Sequence, residues 1–141
     1  MADGPIELTI VTPEQAVVHD HVDELEIPGR EGYFGVLPGH APLFSELKIG
    51  DFGYRKDRQW IHLAVAWGFA EVLPNQVRIL AETAERASAI DVDRARRAKE
   101  RAEQRLTRTG NEIDYERARV ALERALIRIQ VSAKAHQAAG Q

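Results

Sequence analysis

The sequence predicts an α+β chain in which an antiparallel β-sandwich or barrel is followed by an antiparallel hairpin of two helices. Short runs of alternating apolar and polar residues, interrupted by glycine and proline, fill the first ninety residues, as is typical of antiparallel sheets. A stretch rich in alanine, arginine and glutamate then occurs twice, at 90–106 and at 113–129. The charge also divides, with 7 Lys/Arg against 14 Asp/Glu up to residue 90 and 12 against 8 beyond it. We therefore predict two domains, a β domain over 1–87 and a helical hairpin over 88–141.

The strands of the first domain are predicted from their alternation and from the turns between them. Ile6, Leu8 and Ile10 alternate with polar residues, which is the period of a half-buried strand, and the run 22–27 alternates likewise before it meets Pro28. Further strands are predicted at 33–37, 60–66, 69–73 and 76–81, with turns at Pro38-Gly39 and Pro74-Asn75.

The segment 31–43, which reads EGYFGVLPGHAPL, is the densest run of residues that constrain the backbone. We expect a pair of tight turns there, with Phe34 and Leu37 in the core and His40 bonded to a neighbouring carbonyl. Because no nucleophile or carboxylate stands near His40 in the sequence, a structural role is favoured over a catalytic one.

The chain carries no recognisable catalytic or metal-binding constellation. It lacks a phosphate-binding glycine loop, a nucleophile elbow, a His-Glu-x-x-His motif and a dinucleotide fingerprint. His19 and His21 would share one face of a strand, but a structural metal site normally has four ligands at recognisable spacing, so we expect no metal there. These observations predict a non-catalytic protein.

Composition excludes several further classes of protein. The absence of cysteine rules out a disulfide framework or a thiolate metal site and fits a reducing compartment. The longest apolar run, 63–70, is too short to cross a bilayer, and the first residues have no basic segment of the kind that begins a signal peptide. The acidic balance of the first domain argues against nucleic acid as its partner.

The two repeated stretches predict helices that pack through alanine. At about 100° per residue, each repeat places small apolar residues in one narrow stripe. Gly110 and Asn111 lie between the repeats and suit a helix end followed by an N-cap. So short a connection predicts an antiparallel pair. The two stripes are Ala95, Ala98, Ala102 and Leu106 in the first helix, and Ala118, Ala121, Ala125 and Ile129 in the second.

Arginines run beside both stripes at the same angular offset. In an antiparallel pair the equivalent edges fall on the same side, so the arginines would crowd one face of the hairpin. Such a cluster fits either an ordinary solvated surface or the recognition of phosphate or of a carboxylate-rich protein surface, because each guanidinium donates in pairs. These residues are Arg94, Arg101, Arg105, Arg117, Arg124 and Arg128.

The second helix has apolar residues outside its stripe, which the first helix lacks. Val120, Leu122, Leu126 and Ile127 stand where the first repeat has charged or polar residues. This surface needs cover. It either packs permanently on the β domain or exchanges between two burial sites, as a switch element would.

Several segments together resemble the epsilon subunit of bacterial F-type ATP synthase, over nearly the whole chain. They are the run 31–43, GFAEV at 68–72, VRILAETA at 77–84, and the Ile90-Asp91 pair that opens the hairpin. The resemblance implies an N-terminal β-sandwich of about ten strands that sits on the rotor, followed by a two-helix C-terminal domain.

The resemblance also implies a role. The sandwich would bind the gamma subunit and the ring of c subunits in the central stalk, on the cytoplasmic side of the bacterial membrane and peripheral to it. The hairpin would either fold against the sandwich or extend toward the alpha and beta subunits and block rotation in the direction of ATP hydrolysis. The chain would need no cofactor, and catalysis would belong to other subunits.

Some members of this family bind ATP in the folded hairpin through a motif that the chain carries as IDVDRA at 90–95. The resemblance implies that the adenine and ribose side is held by Glu85, Ile90, Asp91, Arg94 and Ala95, and the phosphates by Arg101, Arg124 and Arg128. ATP would then be a regulatory ligand that favours the folded hairpin. The alternative is that the arginines serve only to dock an acidic surface of the beta subunit.

Overall fold

The computed structural model describes residues 4–108 and 110–139, with side chains as far as residue 135. The described residues form eight strands, one turn of 3₁₀-helix and two α-helices, in that order, which confirms the predicted fold class. The strands are β1 Ile6–Val11, β2 Ala16–Val22, β3 Glu24–Gly29, β4 Gly32–Val36, β5 Leu43–Leu47, β6 Gly50–Lys56, β7 Gln59–Leu73 and β8 Gln76–Arg86. The 3₁₀ turn is Ala87–Ala89, and the helices are α1 Val92–Arg108 and α2 Glu112–Ala139.

The strands form a sandwich that folds back on itself through β3 and β7. The strand order is β2-β1-β8-β7-β5-β3-β4, and β6 pairs with both β3 and β7. All pairs are antiparallel except β1 with β8, which run parallel. Alternation along the strands follows the prediction, since Ile6, Leu8 and Ile10 are all fully buried.

Strand β7 replaces the two strands predicted at 60–66 and 69–73. Its first half pairs with β6 and its second half with β5, while β8 follows it on the other edge. The strand changes partner at Trp67 and Gly68, which have positive φ angles of 51° and 124°. A Cβ atom on Gly68 would lie 1.9 Å from the carbonyl oxygen of Leu80. Gly68 is therefore the point where one continuous strand bends, and not a boundary between two strands.

The turns of segment 31–43 are largely as expected. His40 Nδ1 lies 2.6 Å from the carbonyl oxygen of Ala41, and Phe34 packs against the core. The expectation for Leu37 was wrong, because its side chain is 57% exposed. Leu37 follows the end of β4, so the inward alternation of that strand stops at Val36, which is 1% exposed.

The hairpin packs through the predicted alanines. Ala95, Ala102, Ala118 and Ala125 are between 0% and 2% exposed. Asn111 caps α2, since its Oδ1 accepts from the backbone N–H of Ile113 at 2.8 Å. Over the described ranges, neither helix has a stretch that is both long and apolar enough to cross a membrane. No group of metal-ligating side chains occurs in the same ranges.

Candidate functional site

The second helix lies against the sandwich through a small apolar contact. Val131 is fully buried against Ala64 of β7 and Ala87 of the 3₁₀ turn. Ile90 and Ile127 pack around the same cluster. Of the extra apolar residues predicted to need cover, Ile127 thus finds it on the sandwich, whereas Leu126 remains 44% exposed.

Beside this contact is an open cleft of about 550 Å³ between the hairpin and the sandwich. We call it the hairpin cleft. Its volume is within the usual range of small-molecule sites. The sandwich lines it with Thr12, Glu14, Gln15, Ile49, Ala64, Val65, Ala66, Thr83, Ala84 and Glu85. The helices line it with Ala98, Ala121, Arg124, Ala125, Ile127 and Arg128.

An ion pair crosses the hairpin cleft from one domain to the other. Arg128 Nε and Nη2 donate to the two carboxylate oxygens of Glu85 at 2.8 and 3.2 Å. Both side chains are about one-third exposed or less. The paired geometry makes this stronger than an ordinary surface ion pair, so Glu85 occupies the donors that an anion would otherwise use.

The second arginine of the cleft is held by an aromatic ring. The Arg124 guanidinium lies 4.4 Å from the centre of the Trp67 ring, in the geometry of a cation–π contact. Its Nε is buried and has no hydrogen-bond partner among the described residues. Buried donors in proteins are normally paired, so the Arg124 Nε–H is available to an acceptor on a bound ligand.

The residues of the IDVDRA motif have local structural roles here. Asp91 caps α1, because its Oδ1 accepts from the backbone N–H of Arg94 at 3.1 Å. Ala95 is buried in the helix seam and Ile90 packs on the apolar cluster. Although all of these residues are described, none lines the hairpin cleft.

The structure therefore brings together three of the eight residues expected to bind ATP, namely Glu85, Arg124 and Arg128. Arg94 and Arg101 are exposed and lie outside the cleft lining. Of the six arginines expected to share one face, only Arg124 and Arg128 are half-buried, and the other four are exposed.

Sequence reasoning missed a fourth contact between the hairpin and the sandwich. The Asp51 carboxylate, only 9% exposed, accepts from His62 Nδ1 at 2.8 Å and from Lys134 Nζ of α2. Burial opposes its ionisation, but these two hydrogen bonds prevail and hold the pKa of Asp51 below its ordinary value. The sequence predicts no strand at β6, so nothing in its pattern places Asp51 beside His62 or Lys134.

A further feature, on the sandwich alone, is an apolar patch across β5, β7 and β8. Phe44 and Phe69 stack with ring centres 5.4 Å apart, and Phe69 stands directly opposite Leu80. The exposed fractions of Phe44, Phe69 and Leu80 are 66%, 43% and 56%. Contiguous exposed apolar side chains of this size mark interaction surfaces.

Two family models match the chain in succession. Residues 5–87 match the β-sandwich domain of the ATP synthase delta/epsilon chain. Residues 88–133 match the long α-helix domain of the same chain. Together they account for most of the sequence.

Individual relatives and solved structures agree with these matches. The ATP synthase epsilon chain of Nitratidesulfovibrio vulgaris is 50% identical over 92% of this chain and 97% of its own length. That of Koribacter versatilis is 56% identical over 79% of this chain and 78% of its own length. A chain from the Euglena gracilis mitochondrial ATP synthase, solved by cryo-EM, shares the fold with a TM-score of 0.78 at 22% identity, over 97% of this chain and 84% of that one. The resemblance noted in the sequence is thereby confirmed, and this chain belongs to the delta/epsilon chain family of ATP synthase.

Proposed function

We propose that this chain is the epsilon subunit of a bacterial, proton-translocating F-type ATP synthase. In this role residues 1–87 join the gamma subunit to the c-ring in the central stalk, and residues 88–141 regulate rotation. The subunit is peripheral to the membrane, on its cytoplasmic side, and leaves catalysis to other subunits. Family membership over both domains supports the proposal, as does the name shared by the bacterial relatives.

The apolar patch supports a rotor-docking role for the sandwich. Phe44, Phe69 and Leu80 cover three adjacent strands, and the Glu71–Arg78 pair lies at their edge. A partner that buries this patch gains about 25 cal/mol for each Å² of apolar surface removed from water. Segment 31–43, in which Leu37 and Leu43 are exposed, extends the docking region. Replacing Phe44 and Phe69 by Ser is expected to weaken capture of the gamma subunit, measured with purified gamma.

The hairpin supports a regulatory role because it is attached lightly. Among the described residues, its contact with the sandwich centres on one buried valine and two alanines, with two ion pairs and one cation–π contact beside them. Small side chains remove little apolar surface from water, so an alternative site on the alpha and beta subunits can compete for the helices. Extension of the hairpin toward those subunits blocks ATP hydrolysis in this proposal.

The single observation that carries the nucleotide part of the proposal is the hairpin cleft, which has two arginines on one wall and a sandwich strand on the other. Arg124 has a spare buried donor, and Arg128 can exchange the Glu85 carboxylate for phosphate oxygens. The cleft spans both domains, so a ligand bound there stabilises the folded hairpin by mass action. We assign the phosphates of ATP to Arg124 and Arg128, with Arg101 joining from the exposed edge of α1.

The remaining residues of the motif complete the proposed site. The resemblance assigns Ile90, Asp91, Arg94 and Ala95 to the adenine and ribose side, beside Glu85, although these four do not line the hairpin cleft. Because Asp91 caps α1 and Ala95 lies in the seam, a nucleotide that contacts them contacts the start of the hairpin itself. This arrangement makes ATP a regulatory ligand that needs no metal-assisted chemistry.

The test is a titration of the isolated chain with ATP, without Mg²⁺, followed by amide NMR spectra. Binding predicts shifts at Arg94 and Arg124 that saturate at millimolar ATP. Arg124→Ala should weaken binding, whereas Arg119→Ala, which removes an arginine paired only with glutamates of α2, should not. Unchanged spectra around both residues would reject nucleotide binding.

A second candidate function is that the arginines serve only protein docking. The exposure of Arg94, Arg101, Arg105 and Arg117 favours it, because solvated guanidinium groups are free to meet a carboxylate-rich surface of the beta subunit. Under this alternative, Arg124→Ala and Arg128→Ala reduce inhibition of ATP hydrolysis in the assembled enzyme and leave ATP titrations of the isolated chain unchanged.

A further inference from the structure

The carboxylate of Asp51 joins the sandwich to the second helix at a point outside the hairpin cleft. Its Oδ2 accepts from Lys134 Nζ, near the C-terminal end of α2. We propose that the Asp51–Lys134 ion pair is a latch that holds α2 on the sandwich without nucleotide. The folded hairpin then persists when the hairpin cleft is empty, and ATP adds to a state that the latch already maintains.

The sandwich holds Asp51 ready for this contact. His62 Nδ1 donates to Oδ1 from the neighbouring strand, at 2.8 Å. The backbone N–H of Asp51 donates to the Tyr33 hydroxyl at 2.9 Å. These bonds orient the carboxylate so that Oδ2 faces the helix. The sandwich thus contributes a preorganised acceptor, and docking of α2 requires only that Lys134 reach it.

The groove around the carboxylate offers few other charges. A groove of about 280 Å³ is lined by Glu26 of β3, Tyr33 of β4, Trp60 and His62 of β7, and Gln130 and Lys134 of α2, together with Asp51 and Gly53 of β6. Glu26 is a second acid, so Lys134 is the one permanently charged cation among these lining residues. When α2 leaves, the carboxylate loses that cation while it keeps its neighbour Glu26.

Because Lys134 supplies the permanent positive charge beside Asp51, the pair can act as a latch. Leaving one member of a buried ion pair without its partner is strongly unfavourable, because the remaining charge has already lost much of its hydration. Asp51 is 9% exposed, whereas the Lys134 side chain is 29% exposed. Both fractions refer to the docked hairpin, in which α2 helps to cover the carboxylate. A docked helix without the Lys134 charge would therefore leave Asp51 buried with His62 as its remaining partner, and undocking would relieve that cost by returning the carboxylate to water.

The latch is separate from the proposed nucleotide site. Neither Asp51 nor Lys134 lines the hairpin cleft, and the Glu85–Arg128 pair lies on the other side of the apolar cluster formed around Val131. Two charged contacts thus flank one apolar contact along α2. Only the Glu85–Arg128 pair competes with a ligand in the cleft.

The test measures docking in the full chain without nucleotide. Because the sequence has no cysteine, Glu31→Cys and Glu112→Cys allow spin labels to report one distance between the sandwich turn and the start of α2. Lys134→Met keeps the alkyl stem and removes the charge. We expect it to raise the undocked fraction at least about tenfold, as for the loss of one partner of a buried pair. Lys99→Met, which removes a lysine paired with Glu103 on α1, is the matched control and should leave the distances unchanged.

A double-mutant cycle with Asp51→Asn then isolates the pair. If the two residues act together, the fold-change of the double variant is smaller than the product of the single changes, because no unpaired charge is left behind. Circular dichroism of Asp51→Asn checks that the sandwich remains folded, and Lys134→Met carries the test by itself if it does not. The latch is refuted if Lys134→Met behaves like Lys99→Met, or if the single changes multiply. Since no ATP is present, a failure of nucleotide binding would leave this result untouched.

Discussion

The sandwich and the hairpin bury side chains of different size: large ones in the sandwich and small ones in the hairpin. The sandwich core consists of large residues such as Phe52, Leu63 and Ile79, all fully buried. The hairpin seam is centred on Ala95, Ala102, Ala118 and Ala125, which are equally buried. Burying a Leu, Ile or Phe side chain contributes about 1.5–3 kcal/mol, against about 0.8 kcal/mol for a single CH₂. Complete burial of a side chain therefore does not by itself make a domain stable. What counts is the apolar surface area that each residue removes from water.

The largest effect is expected in the sandwich core. Phe52→Ala should lower the free energy of unfolding of the chain by about 3–5 kcal/mol, because the ring is fully buried in the packed core. Chemical denaturation measures the loss. A change as small as that of the exposed Phe44→Ala would mean that the core packs more loosely than its burial indicates.

The bend in β7 gives the next largest effect. Gly68→Ala should cost about 3 kcal/mol, since the new Cβ would lie 1.9 Å from the Leu80 carbonyl oxygen at a φ of 124°. Gly110→Ala is the control, because nothing lies within 4 Å of a Cβ there. Thermal melting of both variants compares the two glycines, and equal melting temperatures would contradict the bend.

A smaller effect is expected when the seam is overfilled. Ala118→Leu should push the helices apart at a cost of about 1–3 kcal/mol, because Ala118 is 1% exposed. The loss should appear as faster amide exchange in α1 and α2 with unchanged exchange in β1 and β8. Ala133→Leu, at an exposed position of α2, is the control. Faster exchange in the strands as well would show that the domains unfold as one unit.

The smallest effect is expected from pH, and only in acid. The pKa of Asp51 is held below its ordinary value of about 3.9. Its contribution to docking is therefore fully present above that value and is lost as pH falls through the lowered pKa. Between pH 8 and pH 5 the spin-label distances should not change on account of this carboxylate. In Asp51→Asn, which has already lost this contact at neutral pH, acid should cause no further undocking through this site while the sandwich remains folded.

The sequence predicted those elements whose pattern is local. Ile6, Leu8 and Ile10 predict β1 because alternate side chains of a strand share a face. The alanine stripes predict the hairpin because the helical period places those residues on one side of each helix. Asn111 was found for the same reason, since a cap acts within three residues. Strands β2, β5 and β6 were not predicted. In β6, Phe52 and Tyr54 do alternate, but two glycines within seven residues weaken the strand pattern.

The candidate site could be predicted only in part. Glu85 was named through resemblance alone, whereas Arg124 and Arg128 were named both through resemblance and through their offset beside the alanine stripe. The structure brings all three to one cleft. The contacts of Trp67 with Arg124 and of Asp51 with Lys134 depend on how the second helix rests on the sandwich. Such contacts join residues far apart in sequence, so no spacing rule could reveal them.

The length of β7 has a mechanical consequence. Phe69 of the apolar patch, Trp67 beneath Arg124 and His62 beside Asp51 all stand on this one strand of 15 residues. A pull applied at Phe69 is therefore carried along covalent backbone to the places where α2 rests, while the hydrogen-bond ladders to β5, β6 and β8 resist it in shear. A force applied at the apolar patch would therefore reach the residues that contact α2 through a single strand, with no loop between them.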